Sequence, residues 1–452
     1  MVELRLDLLD RPELGQVLDG VAPPVILTCR GAFEGGRFAG SEEERRRVLA
    51  AAVHSRAAFV DIEWQAGFDD LVAARRGRGI VLSHHDFRGM PPDLEARVAA
   101  MAASPAEIVK IAVRVERLSD CLTLLALARR YADRGLVVLG MGDAGLLTRI
   151  CAARFGSRWT YAGEQEGPGQ LSLVRMRREY NFEAVRADTT LYGLMGRPIS
   201  HSLSPALHNA AMAEFGLDAV YVPLAGADAD DCLAFADRFG VAGASVTAPF
   251  KADVMGRLAL CEPDARAAGS VNTIRRTPSG WEGISTDGAG FLAGLPGPVE
   301  PGMRAAILGN GGAARSVARA LAIAGARVTL YGRRPDAARQ SAALVGVSSA
   351  RRPVPRGSWD LLVNATPVGT HPDVDASAFP EGTFDGDVVY DLVYNPTRTR
   401  LLSEAEARGC RTVGGLAMLI EQARLQLAWW TGRTPSADRM REAALWRLSI
   451  AS

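Results

Sequence analysis

The sequence lacks an excess of charge of either sign. Lys plus Arg number 52 and Asp plus Glu number 51, so the formal net charge at pH 7 is only +1. This balance excludes a strongly basic nucleic-acid surface and a self-repelling acidic chain. No apolar run approaches the roughly 18 to 20 residues that span a bilayer, and the start has no signal-peptide pattern. We therefore expect a cytoplasmic protein that binds neither nucleic acid nor membrane.

Cysteine is scarce as well. The six cysteines form no CxxC pair and no His-flanked metal spacing, so we interpret them as reduced packing residues and expect no metal site. Internal repeats and low-complexity tracts are also missing. The chain does have length and apolar content. At roughly 150 residues per domain its length predicts about three domains, and 48% hydrophobic residues are enough for large cores.

The first region alternates short apolar runs with amphipathic helical stretches, which predicts a parallel α/β domain over residues 1–186. Seven strands are expected, at residues 2–6, 25–28, 59–63, 80–83, 108–113, 136–139 and 159–161. A (β/α)8 barrel has eight strands. Because Met1 falls directly on the first predicted strand, we expect a barrel whose first βα unit is missing, or a sequence that starts too late.

Two changes of pattern divide the rest of the chain. The barrel-like alternation stops near residues 186–190, and a Gly- and Pro-rich stretch covers residues 296–302. We expect a second α/β domain over residues 190–295, a third over 302–415, and C-terminal helices over 416–452.

Three predicted strands of the first region carry charged residues within apolar runs. Glu3 and Arg5 lie in the first strand, His84 and His85 at the end of the fourth, and Lys110 within the fifth. Burial in a barrel would lower the pKa of Lys110 and make it a nucleophile toward a ketone. The alternative is a lysine on the outer face of the sheet or at a strand end, and Lys110 alone does not exclude it.

Other residues of the first region support a catalytic interpretation. His85 follows a predicted strand at its C-terminal end, where barrel enzymes gather catalytic groups, and a histidine can move protons near neutral pH. Arg30 and Arg149 together can hold a carboxylate. Each arginine taken alone is more often a surface residue.

These residues resemble the type I 3-dehydroquinate dehydratases over nearly the whole first region. The resemblance rests on residues 3–7, 28–30, 84–87, 109–112, 141–149 and 167–170. It implies that Lys110 forms an imine with the substrate ketone and that His85 shuttles protons, assisted by Glu34. Glu166 stands where the family usually has a small hydroxyl residue and is counted among the substrate contacts. The other implied substrate-binding residues are Glu3, Arg5, Arg30, Arg149 and Gln170.

Hydroxyl and charged residues follow predicted strands of the second region. Ser202 and Ser204 precede a helix, where they either bind a carboxylate or only cap the helix. A lysine near an aspartate in a cleft, here Lys251 and Asp287, can act as an acid/base pair for a hydroxyl that becomes a ketone. An ordinary surface ion pair is the alternative, and sequence distance does not decide between the two.

The third region contains a glycine-rich turn between a predicted strand and a predicted helix. Its residues are Gly309, Asn310, Gly311, Gly312, Ala313 and Ala314. They match the G-x-G-x-x-[GA] fingerprint, which favours a dinucleotide-binding Rossmann domain over a plain turn. Arg333 and Arg334 follow the next strand, where an NAD site usually has an acidic residue. Paired guanidiniums favour the 2′-phosphate, so NADP is the predicted cofactor.

The second and third regions resemble shikimate dehydrogenase along nearly all of residues 190–450. The matching segments are residues 201–205, 246–251, 271–273, 286–288, 309–315, 364–369 and 414–419. The resemblance implies that Lys251 and Asp287 are the catalytic pair and that Thr366 and Gly415 line the nicotinamide side. The implied substrate-binding residues are Ser202, Ser204, Thr247, Asn272, Tyr394 and Gln422.

The two resemblances together imply a bifunctional enzyme of the shikimate pathway. It would dehydrate 3-dehydroquinate as a lyase and reduce the product, 3-dehydroshikimate, to shikimate as an NADP-dependent oxidoreductase. One alternative is a shikimate dehydrogenase with an inactive, truncated barrel that serves as a scaffold. Another is a catabolic quinate or shikimate dehydrogenase of the same fold. The oligomeric state is not predicted.

Overall fold

The structure, a computed structural model, describes residues 1–9, 13–163, 169–380 and 382–450. The chain forms two compact units. The first contains residues 1–189, 223–227 and 231–239, and the second contains residues 190–222, 228–230 and 240–452. No helix in the described ranges is long and apolar enough to cross a membrane. Within the same ranges no group of His, Cys, Asp or Glu is arranged to hold a metal ion.

The first unit is built on six parallel strands that pair in chain order. They are β1 (Val2–Arg5), β2 (Val25–Thr28), β3 (Phe59–Glu63), β4 (Ile80–Asp86), β5 (Ile108–Arg114) and β6 (Gly135–Met141). The helices are α1 (Leu14–Leu18), α2 (Glu42–Val53), α3 (Asp69–Ala73), α4 (Leu94–Ala103), α5 (Leu118–Arg130), α6 (Leu146–Ile150) and α7 (Leu173–Arg178). Parallel strands bring their C-terminal ends to one edge, which is where barrel enzymes place their active sites.

Six of the seven predicted strands are present, and the prediction at residues 159–161 is wrong. That segment is irregular, although Trp159 and Tyr161 pack against the apolar core between β4, β5 and β6. The Trp159 ring lies 5.2 Å from that of Phe59. Side-chain packing therefore explains the apolar character that indicated a strand. The absence of a first βα unit stays a prediction.

A second six-stranded sheet lies between residues 190 and 284. Its strands are β7 (Thr190–Met195), β8 (Ala219–Leu224), β9 (Val241–Val246), β10 (Leu260–Cys261), β11 (Thr273–Thr277) and β12 (Gly280–Ile284), in the order β10-β12-β11-β9-β7-β8. The helices of this part are α8 (Ser204–Glu214), α9 (Ala229–Phe239), α10 (Pro263–Ala268) and α11 (Asp287–Ala293). Strand β11 runs antiparallel to β9 and β12, so the sheet is mixed.

The third sheet is parallel throughout, as a Rossmann domain requires. Its strands are β13 (Arg304–Leu308), β14 (Arg327–Gly332), β15 (Ser348–Arg351), β16 (Leu361–Asn364), β17 (Val388–Asp391) and β18 (Arg411–Val413), in the order β15-β14-β13-β16-β17-β18. The helices are α12 (Gly312–Ile323), α13 (Pro335–Val345) and α14 (Arg400–Glu406). The strand order reverses between β13 and β16, the point at which such sheets bind nucleotides. The C-terminal helices predicted from the sequence are α15 (Leu416–Thr431) and α16 (Ala437–Ser449).

Two candidate active sites

Lys110 lies in the middle of β5 and lines the cavity of the first unit. Its Nζ is 3.1 Å from Oδ2 of Asp61 on β3 and 4.0 Å from Oε1 of Glu3 on β1. The centre of the Tyr161 ring lies 4.4 Å from the same nitrogen. Only 4% of the lysine is exposed. The alternative of a lysine on the outer face of the sheet is therefore wrong.

Asp61 connects Lys110 to a second cation. Its Oδ1 accepts a hydrogen bond of 2.6 Å from Ser83 Oγ and lies 3.0 Å from Nη2 of Arg30. Burial raises the pKa of Asp61, but the positive charges of Arg30 and Lys110 outweigh that effect and leave it below its ordinary value. Asp61 is therefore a fixed buried anion at neutral pH.

The pKa of Lys110 is raised, which contradicts the expectation from the sequence. Burial lowers it, as predicted, but the negative charge of Asp61 and the weaker contributions of Tyr161 and Glu3 raise it by more. The expectation is wrong because it counted burial without the carboxylate that the topology places opposite the amine. Lys110 is consequently held as an ammonium, and a base must remove its proton before it attacks a ketone.

His85 can serve as the base that removes this proton. Its backbone N–H and its ring Nδ1 donate to Oε2 of Glu34 at 3.1 and 2.8 Å. Because a carboxylate only accepts, Nδ1 carries the proton and Nε2 is left as the ring atom that can accept one. Burial lowers the pKa of His85 well below its ordinary value, and the charges of Arg30 and Lys110 lower it further. The imidazole is therefore neutral at pH 7.

Arg149 on α6 is a buried guanidinium that binds backbone oxygens. Nε donates to the carbonyl of Gly169 at 2.6 Å and Nη1 to that of Tyr161 at 3.4 Å. Burial lowers the pKa of Arg149 to about 10, so it stays charged at neutral pH. No acidic side chain in the described ranges forms an ion pair with it. A ligand carboxylate would supply the missing partner.

These residues surround one cavity of about 1090 Å³. Arg5, which lines it, is held by Asp7 through an Nη2–Oδ2 contact of 2.7 Å. Glu166 lies outside the described residues. The cavity brings together the other first-region residues predicted to act, namely Glu3, Arg5, Arg30, Glu34, His85, Lys110, Arg149 and Gln170. Their individual roles stay predictions.

Sequence reasoning missed Asp61 and noted His84 without giving it a role. Asp61 lies in an apolar run, the same signal that singled out Lys110. His84 directly precedes the chosen histidine, and its Nδ1 lies 3.4 Å from Oε1 of Glu34. Arg97 Nη1 lies 3.2 Å from His84 Nε2. Two histidines therefore share one carboxylate.

Lys251 and Asp287 form the reactive pair of the second unit. Lys251 Nζ donates to Oδ2 of Asp287 at 2.5 Å, and Asn272 Nδ2 donates to Oδ1 at 2.8 Å. The two charged side chains are only 18% and 6% exposed. The alternative of an ordinary surface ion pair is therefore wrong.

A cavity of about 180 Å³ lies beside this pair. Every residue predicted to bind the second substrate lines it: Ser202, Ser204, Thr247, Asn272, Tyr394 and Gln422. Ala313 and Gly415 of the predicted cofactor set line it too. Ser245 and Gln426 also line the cavity, and sequence reasoning missed both. The signal for Gln426 was a second glutamine one helical turn after Gln422 in a largely apolar helix.

The turn between β13 and α12 fits a dinucleotide. Gly309 has φ +122°, and a Cβ there would lie 2.9 Å from the Ala365 carbonyl oxygen and 3.3 Å from Thr366 Cγ2, so only glycine is accommodated. A Cβ at Gly311 would meet nothing within 4 Å, which leaves room for a pyrophosphate at the helix N-terminus. Arg333 and Arg334 are exposed just after β14, as a 2′-phosphate site requires.

Comparison with known families matches three parts of the chain. The family model described as Type I 3-dehydroquinase matches residues 1–186. The Shikimate dehydrogenase substrate binding domain matches residues 194–274, and the Shikimate 5′-dehydrogenase C-terminal domain matches residues 415–445.

Individual relatives cover the same parts. The bifunctional 3-dehydroquinate dehydratase/shikimate dehydrogenase of Arabidopsis thaliana is 29% identical over 477 residues, which cover 96% of this chain and 77% of the relative. The shikimate dehydrogenase (NADP(+)) of Methanopyrus kandleri is 38% identical over 281 residues, 58% of this chain and 97% of the relative. A solved structure of shikimate 5-dehydrogenase from Thermus thermophilus, in complex with NADP(H) and shikimate, has 34% identity and a TM-score of 0.52, covering 57% of this chain and 99% of that one. The Arabidopsis relative is described as chloroplastic, so the cytoplasmic location stays a prediction.

Proposed function

The chain belongs to the shikimate dehydrogenase family and carries a type I 3-dehydroquinase domain in residues 1–186. We propose that each of its two sites catalyses one of two consecutive reactions. It is a bifunctional lyase and NADP-dependent oxidoreductase of the shikimate pathway. Its proposed substrates are 3-dehydroquinate in the first unit and 3-dehydroshikimate in the second. We also propose that its domains span residues 1–186, 190–295 and 302–415, followed by C-terminal helices over residues 416–452.

In the first site Lys110 is the nucleophile. Its ammonium gives a proton to the neutral His85 ring, and Nζ attacks the ketone carbon. The carbonyl oxygen takes one proton from Nζ and one back from the His85 imidazolium, and leaves as water. The resulting protonated imine withdraws electrons from the neighbouring carbon. That carbon loses a proton to the His85 ring, and the adjacent hydroxyl takes this proton back and leaves as water, which restores the iminium. Hydrolysis of the imine then releases 3-dehydroshikimate and restores Lys110.

Asp61 can stabilise the positive charge on the lysine nitrogen throughout these reaction steps. The protonated imine carries its positive charge on the same nitrogen as the ammonium, 3.1 Å from the carboxylate. A fixed anion at this place stabilises both the ground-state ammonium and the iminium intermediate. Arg149 supports binding, since its charge has no acidic partner among the described residues and can pair with the substrate carboxylate.

In the second site Lys251 is the proton donor. NADPH, when bound, supplies the hydride that reduces the ketone of 3-dehydroshikimate. Lys251 donates the proton to the carbonyl oxygen as it becomes a hydroxyl, and Asp287 holds the amine in place at 2.5 Å. Ser202 and Ser204 bind the substrate carboxylate through their hydroxyls.

The contacts around Lys110 are the observation that favours an active dehydratase over an inactive scaffold. A scaffold has no need for a buried amine with a buried carboxylate at 3.1 Å, nor for a neutral histidine that Glu34 holds in the cavity that the amine lines. Removing charged groups from water is costly even when they are paired, and this cost argues against such an arrangement without a function. The exposed Arg333 and Arg334 favour the NADP-linked, biosynthetic reaction over a catabolic dehydrogenase.

The two sites can be tested separately on the full chain, because Lys110 and Lys251 are its only lysines. Lys110→Met should abolish formation of the conjugated enone from 3-dehydroquinate without cofactor, while NADPH oxidation with 3-dehydroshikimate continues. Borohydride treatment in the presence of 3-dehydroquinate should add one covalent adduct to the wild-type chain and none to this variant. Lys251→Met is the matched control, and should slow only the reduction, by a factor on the order of 10² to 10⁴. Loss of both activities in either variant would contradict two independent sites.

A further inference from the structure

Gln426 is a buried amide at the centre of a polar cluster in the wall of the second cavity. It is 1% exposed and lies on α15, one turn after Gln422. Its Oε1 accepts from Ser245 Oγ at 2.7 Å and from His208 Nε2 at 3.1 Å. Its Nε2 donates to Gln422 Oε1 at 2.8 Å and to the Asn272 carbonyl oxygen at 3.3 Å. Partners on α8, on β9, on α15 itself and in the segment just before β11 thus converge on one side chain.

The orientation of this amide follows from its partners. The carbonyl oxygen of Asn272 can only accept, so the Gln426 atom that faces it must be the nitrogen. The oxygen then faces His208, whose Nε2 must carry a proton to donate. Burial lowers the pKa of His208 to about 3, so the ring is neutral and this single tautomer satisfies the contact. Both hydrogens and both lone pairs of the Gln426 amide are used, which leaves it no capacity to bind a substrate directly.

The effect of Gln426 reaches the substrate cavity through Gln422. Gln422 Nε2 donates one hydrogen to the Leu419 carbonyl oxygen at 2.9 Å. Its Oε1 accepts from Gln426 Nε2 at 2.8 Å and from Asn272 Nδ2 at 3.3 Å. The second amide hydrogen of Gln422 therefore remains for a ligand hydroxyl in the cavity that Gln422 lines.

The same cluster continues to the reactive pair. Asn272 Nδ2, which faces Gln422, also donates to Asp287 Oδ1 at 2.8 Å. Asp287 in turn holds Lys251. Rotation of the Gln422 amide would place its nitrogen against two other donors, the nitrogens of Asn272 and Gln426. The shorter contact, from Gln426, therefore helps to keep the amide in one orientation.

We propose that Gln426 is a positioning residue of the reductase site: it fixes the Gln422 amide so that one N–H points at the substrate hydroxyls, and thereby sets the affinity for 3-dehydroshikimate. This inference rests on the substrate-binding role proposed for Gln422. It assigns Gln426 no direct contact with substrate or cofactor. The cofactor side of the site is independent of it.

The test is a double-mutant cycle on the full chain with Gln426→Leu, Gln422→Ala and the two combined. Gln426→Leu should raise KM for 3-dehydroshikimate about three- to tenfold, the effect of losing one neutral hydrogen bond. KM for NADPH and the rate of the dehydratase should stay unchanged, and kcat should change less than KM. Because Gln426 acts through Gln422, the double variant should have the KM of Gln422→Ala alone. Leu425→Ala, an exposed change on the same helix, is the matched control and should leave all constants unchanged.

Two results would overturn the proposal. One is a multiplicative KM effect in the double variant, which would mean that Gln426 acts independently of Gln422. The other is a normal KM for 3-dehydroshikimate in folded Gln426→Leu, with only a lower Tm, which would make Gln426 a structural residue. If Gln422→Ala itself has a normal KM, the role proposed for Gln422 fails as well, and the two failures are thereby distinguished.

A milder variant covers the case in which Gln426→Leu does not fold. Ser245→Ala removes one of the two donors to Oε1 and keeps the other. It should raise KM about two- to threefold, and this rise should disappear when Gln422 is already alanine. An unchanged KM, or a rise that persists in the Gln422→Ala background, would contradict the proposal.

Discussion

Mild acid should destabilise the second unit through one histidine. The His208 ring is fully buried on α8, its centre 4.4 Å from that of Tyr221 and 5.3 Å from that of Trp430. Burial lowers its pKa from 6.5 to about 3. The folded state therefore keeps the ring neutral, while the unfolded chain takes up a proton below pH 6.5. The contribution to stability is complete above pH 6.5 and is lost as pH falls toward 3.

The magnitude follows from proton linkage. One pKa unit corresponds to about 1.4 kcal/mol, so the interval from 6.5 to 3 amounts to about 5 kcal/mol in the free energy of unfolding. About 2 kcal/mol of this is lost by pH 5, before most carboxylates titrate. His208→Asn cannot take up the proton, so its free energy of unfolding should fall less over the same interval.

The measurement is urea unfolding of the full chain between pH 7.5 and 5, followed by fluorescence and by residual reductase activity. His208→Asn loses a buried hydrogen bond at every pH, so the pH dependence within each protein is compared rather than the absolute stability. His201→Asn, at an exposed histidine, is the matched control and should behave as wild type. If His208→Asn loses as much stability between pH 6.5 and 5 as wild type does, the linkage argument is refuted.

Two further predictions concern the catalytic and cofactor sites. Asp61→Asn should slow enone formation by a factor on the order of 10² to 10³, because the iminium loses the counter-charge that the site holds preorganised for it. Reduction of 3-dehydroshikimate is the control, and an unaltered dehydration rate would remove Asp61 from the mechanism. Arg333→Ser combined with Arg334→Ser should raise KM for NADPH by about one to two orders of magnitude and leave KM for NADH near its starting value. Equal changes for both cofactors would contradict recognition of the 2′-phosphate by these arginines.

The sequence pattern was sufficient to predict a structural feature when one continuous segment of the chain contains all of it. The turn at Gly309 is recognisable because its strand, glycines and helix are contiguous in the chain. The same holds for the six strands of the first unit, whose apolar runs mark them. The error at residues 159–161 has a physical reason. Trp159 and Tyr161 are partly buried against the apolar core without forming a strand, and composition alone does not distinguish such packing from a strand.

Features that depend on strand register were not predictable in the same way. Ser83 pairs with Lys110 across β4 and β5, and Thr28 pairs with Asp61 across β2 and β3. This register brings Asp61 to the lysine 49 positions later in the chain. Burial of Lys110 was predictable from its apolar neighbours, whereas the sign of its pKa shift depended on a carboxylate that only the register supplies.

The two lysines of the chain have a chemical role that arginine cannot fill. Only two of the 52 Lys and Arg residues are lysines, and each lies against a buried aspartate in one of the two cavities. Arginine serves wherever a permanent positive charge is enough, because its guanidinium does not lose a proton in proteins. The proposed reactions need more: one amine must release its proton before it can attack a ketone, and the other must donate a proton to a forming hydroxyl. Arginine can do neither, so Lys110→Arg and Lys251→Arg should be as inactive in their own reactions as the methionine variants, although both keep the charge opposite the aspartate. Rate measurements that found either arginine variant active would show that charge, rather than proton transfer or nucleophilic attack, is what that position supplies.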